Sequence, residues 1–213
     1  VQIIRIKLQK IFLYDWQVNG KMSVLNVYNK YTNITKFPLN IITYLLNNNE
    51  VIWKLLKYDT PDALNKPNLT KSEKRSLIFA GQTNSSGGID EMPYRVFTKS
   101  LPRGEEKKIQ TQLRVFLLGL IPLNHVVGQV NMNIQIISHT DLLTLDTYEN
   151  RNEIILQQLL ETLNGKNIGG ISNLSFNREG NGYSNEAFWE SGDWYEGYSL
   201  RMSCKVSDEK DKN

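Results

Sequence analysis

The sequence contains a single cysteine, Cys204, among its 213 residues. One thiol cannot form an internal disulfide and cannot build a thiolate metal site, so a reducing compartment is the simplest setting for the chain. Histidine is almost as scarce: the chain has His125 and His139, without the His-x-His or His-x-x-x-His spacing of metal ligands. The sequence therefore predicts no metal site.

Long hydrophobic runs and a strong charge imbalance are also missing. No stretch approaches the ~18 to 20 apolar residues of a bilayer helix, and the most hydrophobic one, 115–127, is interrupted by Gly119 and Pro122. Lys and Arg number 25 against 22 Asp and Glu, and the surplus of +3 is scattered along the chain. The charge pattern therefore favours neither a membrane nor a nucleic acid as partner.

The length and composition indicate one globular domain. A chain of 213 residues with 40% hydrophobic residues can form a single core without disulfides or structural metals to stabilise it. Met22 followed by Ser23 resembles a start, so we interpret residues 1–21 as an N-terminal extension to which no function is assigned. Residues 22–207 are predicted to form the domain, and 208–213 a charged, frayed tail.

The first half of the chain has the pattern of helices. Apolar residues recur at three- and four-residue spacing after Pro38, namely Leu39, Ile42, Leu45, Leu46, Ile52, Trp53 and Leu56. Asparagines at 47–49 predict a bend or break in this helix, because their side chains compete for backbone hydrogen bonds. Thr70 and Glu73 have capping-box spacing, which predicts a short second helix beginning at Thr70.

A third helix is predicted over 146–164. Asn150 and Glu153 stand at capping spacing near its start, an apolar stripe includes Ile155 and Leu159, and Gly165 is the expected C-cap.

Strands are predicted over 94–100, 111–121 and 126–137, as antiparallel neighbours, and after the third helix over 171–176 and 198–206. The order of elements predicts an α+β fold, an antiparallel sheet with helices packed on one face. In the last strand apolar residues alternate with Ser199, Arg201, Ser203 and Lys205, so one of its faces is expected to be in water.

The strand 111–121 is expected to be apolar on both faces after Arg114. Strict alternation places Val115, Leu117 and Ile121 on one side and Phe116, Leu118 and Leu120 on the other. Something must then cover each side.

Two loops stand out by composition. Residues 81–92 are small and polar with three glycines, which is typical of an exposed mobile loop. Residues 178–197 combine aromatic with acidic side chains. This mixture leaves three interpretations: protein-contact anchors, a lid folded over the sheet, or a sugar site using two of its acids, with Glu186 and Glu190 as the residues to test.

The sequence shows no set of nucleophile, base or metal-ligand residues at the spacing of a known catalytic motif. The two histidines lie in a turn and at a strand end, no Gly-x-Ser-x-Gly elbow occurs, and Cys204 lies on the apolar face of its strand. Gly165 to Gly170 carries a lysine and three glycines, but a phosphate loop begins a helix, whereas this segment ends one. The sequence therefore predicts no enzyme, no catalytic residues and no cofactor.

Two segments resemble neck proteins of tailed bacteriophages, of the head-tail connector and tail-terminator type. One is Ile52-Trp53-Lys54-Leu55-Leu56 running into Pro61-Asp62-Ala63-Leu64-Asn65-Lys66-Pro67-Asn68-Leu69-Thr70. The other is Leu163-Asn164-Gly165-Lys166-Asn167-Ile168-Gly169-Gly170-Ile171 followed by Leu174-Ser175-Phe176. The likeness extends from about Met22 to Val206, and the predicted order of elements is similar to the tail-terminator fold.

This resemblance implies a structural virion protein that forms a ring, hexameric or matched to a twelvefold neck, joining or sealing head and tail. Its partners would be copies of itself, other neck, portal or tail-tube proteins, and packaged DNA in the pore. It would act in the virion, after assembly in the cytoplasm of the bacterial host. The alternatives are a nucleic-acid-binding module and a carbohydrate-active enzyme using loop 178–197.

A ring would also explain why strand 111–121 is apolar on both faces and why loops 81–92 and 178–197 are long. Neighbouring subunits could cover the apolar strand and contact the loops. The candidates for subunit contacts are Ser85, Ser86, Ile89, Met92, Phe116, Leu118, Phe188, Trp189, Trp194 and Tyr195.

Overall fold

The computed structural model describes residues 34–79, 94–99, 109–124, 127–170, 172–176, 187–192 and 194–207, with the backbone alone at 188–191 and 207. The predicted extension 1–21, the loop 81–92 and the tail 208–213 lie outside the described residues. Helices and one mixed sheet make up the described part, so the predicted α+β class is confirmed.

The first predicted helix is divided in two, at the asparagine run that predicted a break. Helix α1 spans Phe37–Asn48 and α2 spans Val51–Lys57. Asn49 lies between them, and its Oδ1 accepts a 2.8 Å hydrogen bond from the N–H of Ile52. An N–H of the first turn of α2 thus gains an acceptor that the helix cannot supply.

The predicted apolar stripe of α1 is wrong at one position. Leu39 is 51% exposed, whereas Ile41 is fully buried with Ile42, Leu45 and Leu46. The spacing of Leu39 matched the stripe equally well, but the buried face of α1 runs through Ile41 because that side faces the sheet.

The short helix α3 spans Lys71–Ser76 and begins as predicted. Thr70 Oγ1 accepts a 3.3 Å hydrogen bond from the N–H of Glu73, and the Glu73 carboxylate accepts one of 2.8 Å from the N–H of Thr70. This reciprocal pair is the capping box that the sequence indicated.

Helix α4 spans Arg151–Leu163, five residues shorter at its start than predicted. The Asn150 side chain accepts a 2.9 Å hydrogen bond from the N–H of Asn152 and caps the helix. Gly165 follows the helix with a φ of +75°, a conformation that costs glycine little, as its expected C-cap role requires. Within the described residues, no helix has the length and apolar character needed to cross a membrane.

The sheet contains five described strands in the spatial order β1-β2-β3-β5-β4. They are β1 Val96–Phe97, β2 Thr111–Pro122, β3 Val127–His139, β4 Ala187–Ser191 and β5 Tyr195–Ser207. Neighbouring strands are antiparallel except β1 and β2, which pair in parallel, so the predicted antiparallel arrangement of the first three strands is wrong at β1.

One face of the sheet and the helices enclose the core. Val115, Met132, Ile134, Leu200 and their neighbours on this face are buried against α1, α2 and α4. Trp53 of α2 is fully buried, and its indole N–H donates a 3.1 Å hydrogen bond to the carbonyl oxygen of Leu45. The predicted packing of helices on one face of the sheet is therefore confirmed for the described residues.

A β-bulge changes the predicted facing of β2. Leu117 pairs with Met132 and Gly119 with Asn131, so Leu118 is the additional residue of the bulge. After it, Leu120 lies on the same face as Leu117, and Ile121 lies on the opposite face. The assignment of Leu120 and Ile121 by strict alternation was wrong, because an extra residue reverses the alternation.

Two predictions for the second half of the chain are also wrong. Segment 172–176 makes an isolated bridge between Ser175 and Ser203 and is not a strand. Part of the expected loop 178–197 forms a hairpin, since β4 pairs with the start of β5. Residues 178–186 of that loop lie outside the described residues, and so does Asp193.

The second face of the sheet is polar but, at its centre, not in water as predicted. Ser199 and Ser203 are buried, and so are Asn131 and Asn133 of the adjacent strand. Asn133 Nδ2 donates a 3.1 Å hydrogen bond to Ser199 Oγ, which lowers the cost of burying both groups. Only the outlying Lys205 matches the prediction of full exposure.

Candidate functional site

An aromatic cluster of His139, Trp194 and Tyr195 lies where β3 ends and β5 begins. The rings of His139 and Trp194 are stacked, with centroids 6.2 Å apart and planes 18° apart. The ring of Tyr195 meets His139 edge to face at 5.5 Å. Trp194 is 60% exposed although His139 beneath it is buried. The cluster therefore exposes the Trp194 indole to solvent while the His139 ring that it stacks on is buried.

Backbone hydrogen bonds fix this cluster. The N–H of Thr140 donates to the carbonyl oxygen of Trp194 at 3.0 Å, and the N–H of Gly192 donates to that of Tyr195 at 2.8 Å. The first bond ties the end of β3 to the hairpin, and the second closes the hairpin turn. The backbone at Trp194 is thus held in place on both sides of the turn, so little backbone freedom is lost when a partner contacts this residue.

The imidazole of His139 is engaged in local structure. Its Nδ1 accepts a 3.3 Å hydrogen bond from the N–H of Asp141 and caps a 3-10 turn at Thr140–Leu142. The Asp141 carboxylate lies 3.4 Å from the same nitrogen. The described residues contain no group of three or more His, Cys, Asp and Glu side chains that could hold a metal ion. His139 thus stacks against the Trp194 ring and caps the adjacent turn.

Ile109 extends the exposed apolar surface across the end of the sheet. The N–H of His139 donates a 3.1 Å hydrogen bond to the carbonyl oxygen of Gln110, so β2 begins beside the end of β3. Ile109 precedes Gln110 and is 54% exposed. Ile109 and Trp194 thus flank the end of β3, one on the β2 side and the other on the β5 side.

The structure brings together only some of the predicted contact residues. Trp194 and Tyr195 meet in the aromatic cluster, whereas Phe116 and Leu118 lie in β2 and are half-buried. Phe188 and Trp189 belong to β4, at the other side of the sheet from β2. The remaining candidates, which all come from loop 81–92, lie outside the described residues: Ser85, Ser86, Ile89 and Met92.

The described acids of the hairpin do not form an adjacent pair on one face. Glu190 pairs with Gly197, and Ser191 pairs with Glu196. Glu190 and Glu196 thus occupy successive positions of the ladder, which belong to opposite faces of a sheet. The other acids considered for a sugar site, Glu179, Glu186 and Asp193, lie outside the described residues.

Cys204 is buried in the core, as its place on the apolar face predicted. Burial raises the pKa of its thiol to about 12, so the group stays protonated at neutral pH. A protonated, buried thiol is a poor nucleophile and a poor metal ligand. The interpretation of Cys204 as a small hydrophobic residue is therefore confirmed.

A cavity of about 580 Å³ lies between the end of α4 and the end of β5. Among the described residues that line it, Lys205 is the one that carries a charge, and the others are neutral: Gln129, Asn164, Gly165, Ser172, Asn173, Leu174, Ser175, Ser203 and Cys204. The N–H of Gly165 donates a hydrogen bond to the carbonyl oxygen of Leu174, and the N–H of Leu174 donates one to the carbonyl oxygen of Lys166. Both bonds lie within the segment that follows α4. These amides hold the segment together and do not form a phosphate cradle.

The sequence did not single out Arg151, although it organises the helical layer. Its guanidinium is fully buried and donates four hydrogen bonds to carbonyl oxygens, those of Leu142, Leu55, Tyr58 and Thr60. Asp59 lies nearby and pairs with Arg95 at 2.7 Å. Burial raises the pKa of Asp59 more than the two arginines lower it. This cluster joins the loop after α2 to α4 and is structural.

The comparisons with known proteins give one family. A family model described as YomW matches residues 49–204, which is most of the chain. The match includes α2, α3, α4 and most of the sheet with the aromatic cluster. Comparisons with curated proteins and with solved structures found no match. The name is that of a phage-derived family, which suggests a phage-encoded protein. The chain therefore belongs to the YomW family.

Proposed function

We propose that this protein is a structural component of the phage particle that forms a ring in the neck, where it joins or seals head and tail. The observation that carries the proposal is Trp194, an indole 60% exposed and stacked on the buried His139 ring. Tryptophan is among the residues that dominate the energetics of protein interfaces. Its fixed position suits a permanent contact between subunits.

The chemistry of the described residues supports an architectural role over catalysis. His139 supports a ring and caps a turn, Cys204 is a buried thiol, and Glu190 and Glu196 occupy opposite faces of the hairpin. The partners in this proposal are further copies of the chain, other neck, portal or tail-tube proteins, and packaged DNA passing through the ring. The protein acts in the virion after assembly in the host cytoplasm.

Replacing Trp194 tests the assembly role. The full chain and Trp194→Ala are compared by light scattering and native mass spectrometry over a range of concentrations. A central interface tryptophan contributes about 2 kcal/mol or more, so association should weaken about 30-fold or more. Tyr148→Ala is the matched control, because Tyr148 is 92% exposed and lies outside the cluster. A wild-type chain that is monomeric at high concentration would contradict the proposal.

Particle labelling tests the location. Gold-labelled antibody against the protein should mark the junction of head and tail in electron micrographs of intact phage. Label confined to the capsid surface or the tail tip, or absence of the protein from purified particles, would refute the neck assignment.

A further inference from the structure

The open sheet ends in two different edges. Strand β1 pairs only through Val96 and Phe97, with Leu113 and Arg114 of β2. From Val115 to Pro122, β2 pairs with β3 on one side and with none of the described residues on the other. At the opposite end of the sheet, β4 pairs with β5 and with no further described strand. Among the described residues, each of these edges has backbone groups that no other strand pairs with, and such groups can pair with another chain.

The strand directions make the two edges complementary. The antiparallel pairs β2 with β3, β3 with β5 and β5 with β4 give a strict alternation of direction from β2 to β4. Strand β4 therefore runs opposite to β2. When a second copy is placed by rotation about an axis along the strands, its β2 lies antiparallel to the β4 of the first. The alternation then continues across the boundary between the copies.

The composition of the β2 edge favours an occupant that is always present. Residues 115–122 carry no charged side chain, Phe116 and Leu118 are half-buried, and Leu120 is 38% exposed. Proteins protect free edges with charges, prolines or bulges. This edge has a bulge at Leu118 and a proline at its end, Pro122, but no charge, so its apolar positions favour a permanent partner. A second copy of the chain is such a partner, because it is present wherever the first copy is made. The five residues of β4 fit within the eight of the open β2 edge.

We propose that copies of this chain join head to tail through their sheets, the β2 edge Val115–Pro122 of one copy pairing antiparallel with β4 of the next. The proposal rests on the proposed function, for which it supplies the contact between neighbouring subunits. Such a contact uses different surfaces on the two partners, so it closes into a ring when the rotation closes. It also brings Phe116 and Leu118 of one copy next to the strand that contains Phe188 and Trp189 of another.

Cross-linking between separately prepared variants tests the pairing. Leu118→Cys and Leu120→Cys place a thiol on the β2 edge, and Ala187→Cys, Glu190→Cys and Ser191→Cys place one on β4. Cross-strand neighbours lie about 4.5 to 5.5 Å apart between Cα atoms, within the range of a disulfide. Each β2 variant is mixed with each β4 variant, allowed to exchange subunits and mildly oxidised. Peptide mass spectrometry then identifies the joined residues.

Disulfide-linked dimers should form in at least one mixture of a β2 with a β4 variant, and in none of the single variants alone. The wild-type chain controls for Cys204, and Ser72→Cys on the exposed surface of α3 controls for random collision. Dimers within a single variant would indicate a two-fold contact and overturn the inference. Rings without any β2–β4 cross-link would overturn it while the proposed function stands. A chain that stays monomeric would remove both.

Discussion

The guanidinium of Arg151 donates a 2.7 Å hydrogen bond to the carbonyl oxygen of Leu55, which lies 96 residues earlier in the chain. The same side chain reaches three other carbonyl oxygens, two of them in the loop that follows α2. One buried cation thereby ties α4, which lies between β3 and β4 in the chain, to α2 and the loop that follows it.

Replacing Arg151 should be severely destabilising. Arg151→Met leaves four buried or part-buried carbonyl oxygens without their donor, and removing one partner from a buried charged network costs about 3 to 5 kcal/mol. Chemical denaturation measures the loss. Arg75→Met, at an exposed position of α3, should stay within about 0.5 kcal/mol of the wild type. Equal stability of the two variants would show that the Arg151 network adds nothing.

A side chain at Gly197 should disrupt the pairing of β3 with β5 near the end of the sheet. Gly197 lies opposite Ile137, and a Cβ atom there would overlap the carbonyl oxygen of Ile136. Gly197→Ala should therefore cost about 3 kcal/mol, the upper end of over-packing penalties. Gly119→Ala is the control, since a Cβ at the bulge meets nothing within 4 Å. The melting temperatures of the two variants, compared with the wild type, decide the point.

The capping box should make stability depend on acidic pH. Hydrogen bonds from the Thr70 hydroxyl and backbone hold the pKa of Glu73 below its ordinary value. As the pH falls, the Glu73 carboxylate is therefore protonated at a higher pH in the unfolded chain than in the folded one. The ionised carboxylate thus stabilises the fold fully above the unfolded pKa. This contribution is lost as the pH falls through the folded pKa.

Denaturation of the wild type and Glu73→Gln from about pH 6 to about pH 3 tests this sign. The free energy of unfolding of the wild type should exceed that of Glu73→Gln by less and less as the pH falls. In a Thr70→Ala background the same comparison should show a smaller change with pH, because the hydroxyl partner is gone. An advantage that grows toward acid would contradict the lowered pKa.

Cys204 should be nearly inert in the folded protein. Because burial raises the pKa of its thiol to about 12, alkylation by iodoacetamide at pH 8 should be far slower than in the denatured chain. Intact-mass spectrometry follows the reaction, and Ser72→Cys provides an exposed thiol for comparison. Equal rates at the two thiols would mean that Cys204 is accessible.

Much of the fold could be predicted because its signals are local. Helix α1, its break near Asn49, the Thr70 cap and the glycine after α4 depend on residues three or four positions apart. The Gly192-Asp193 pair between two strand-forming runs is a hairpin signal of the same kind, and it could have identified β4 in place of a loop. For the candidate site, aromatic composition singled out Trp194 and Tyr195, but no local pattern connects them to His139.

By itself, the sequence determined the α+β class, the principal helices and strands and the position of Cys204 on the buried face of its strand, because periodicity, capping and composition act over short distances. The tertiary structure alone decided that Leu118 is a bulge, that Ser199 and Ser203 are buried, that Trp194 stacks on His139, and that β2 and β4 form opposite edges of one sheet. These features depend on which distant segments pair and in what register, and such pairings are selected by the packing of the whole domain.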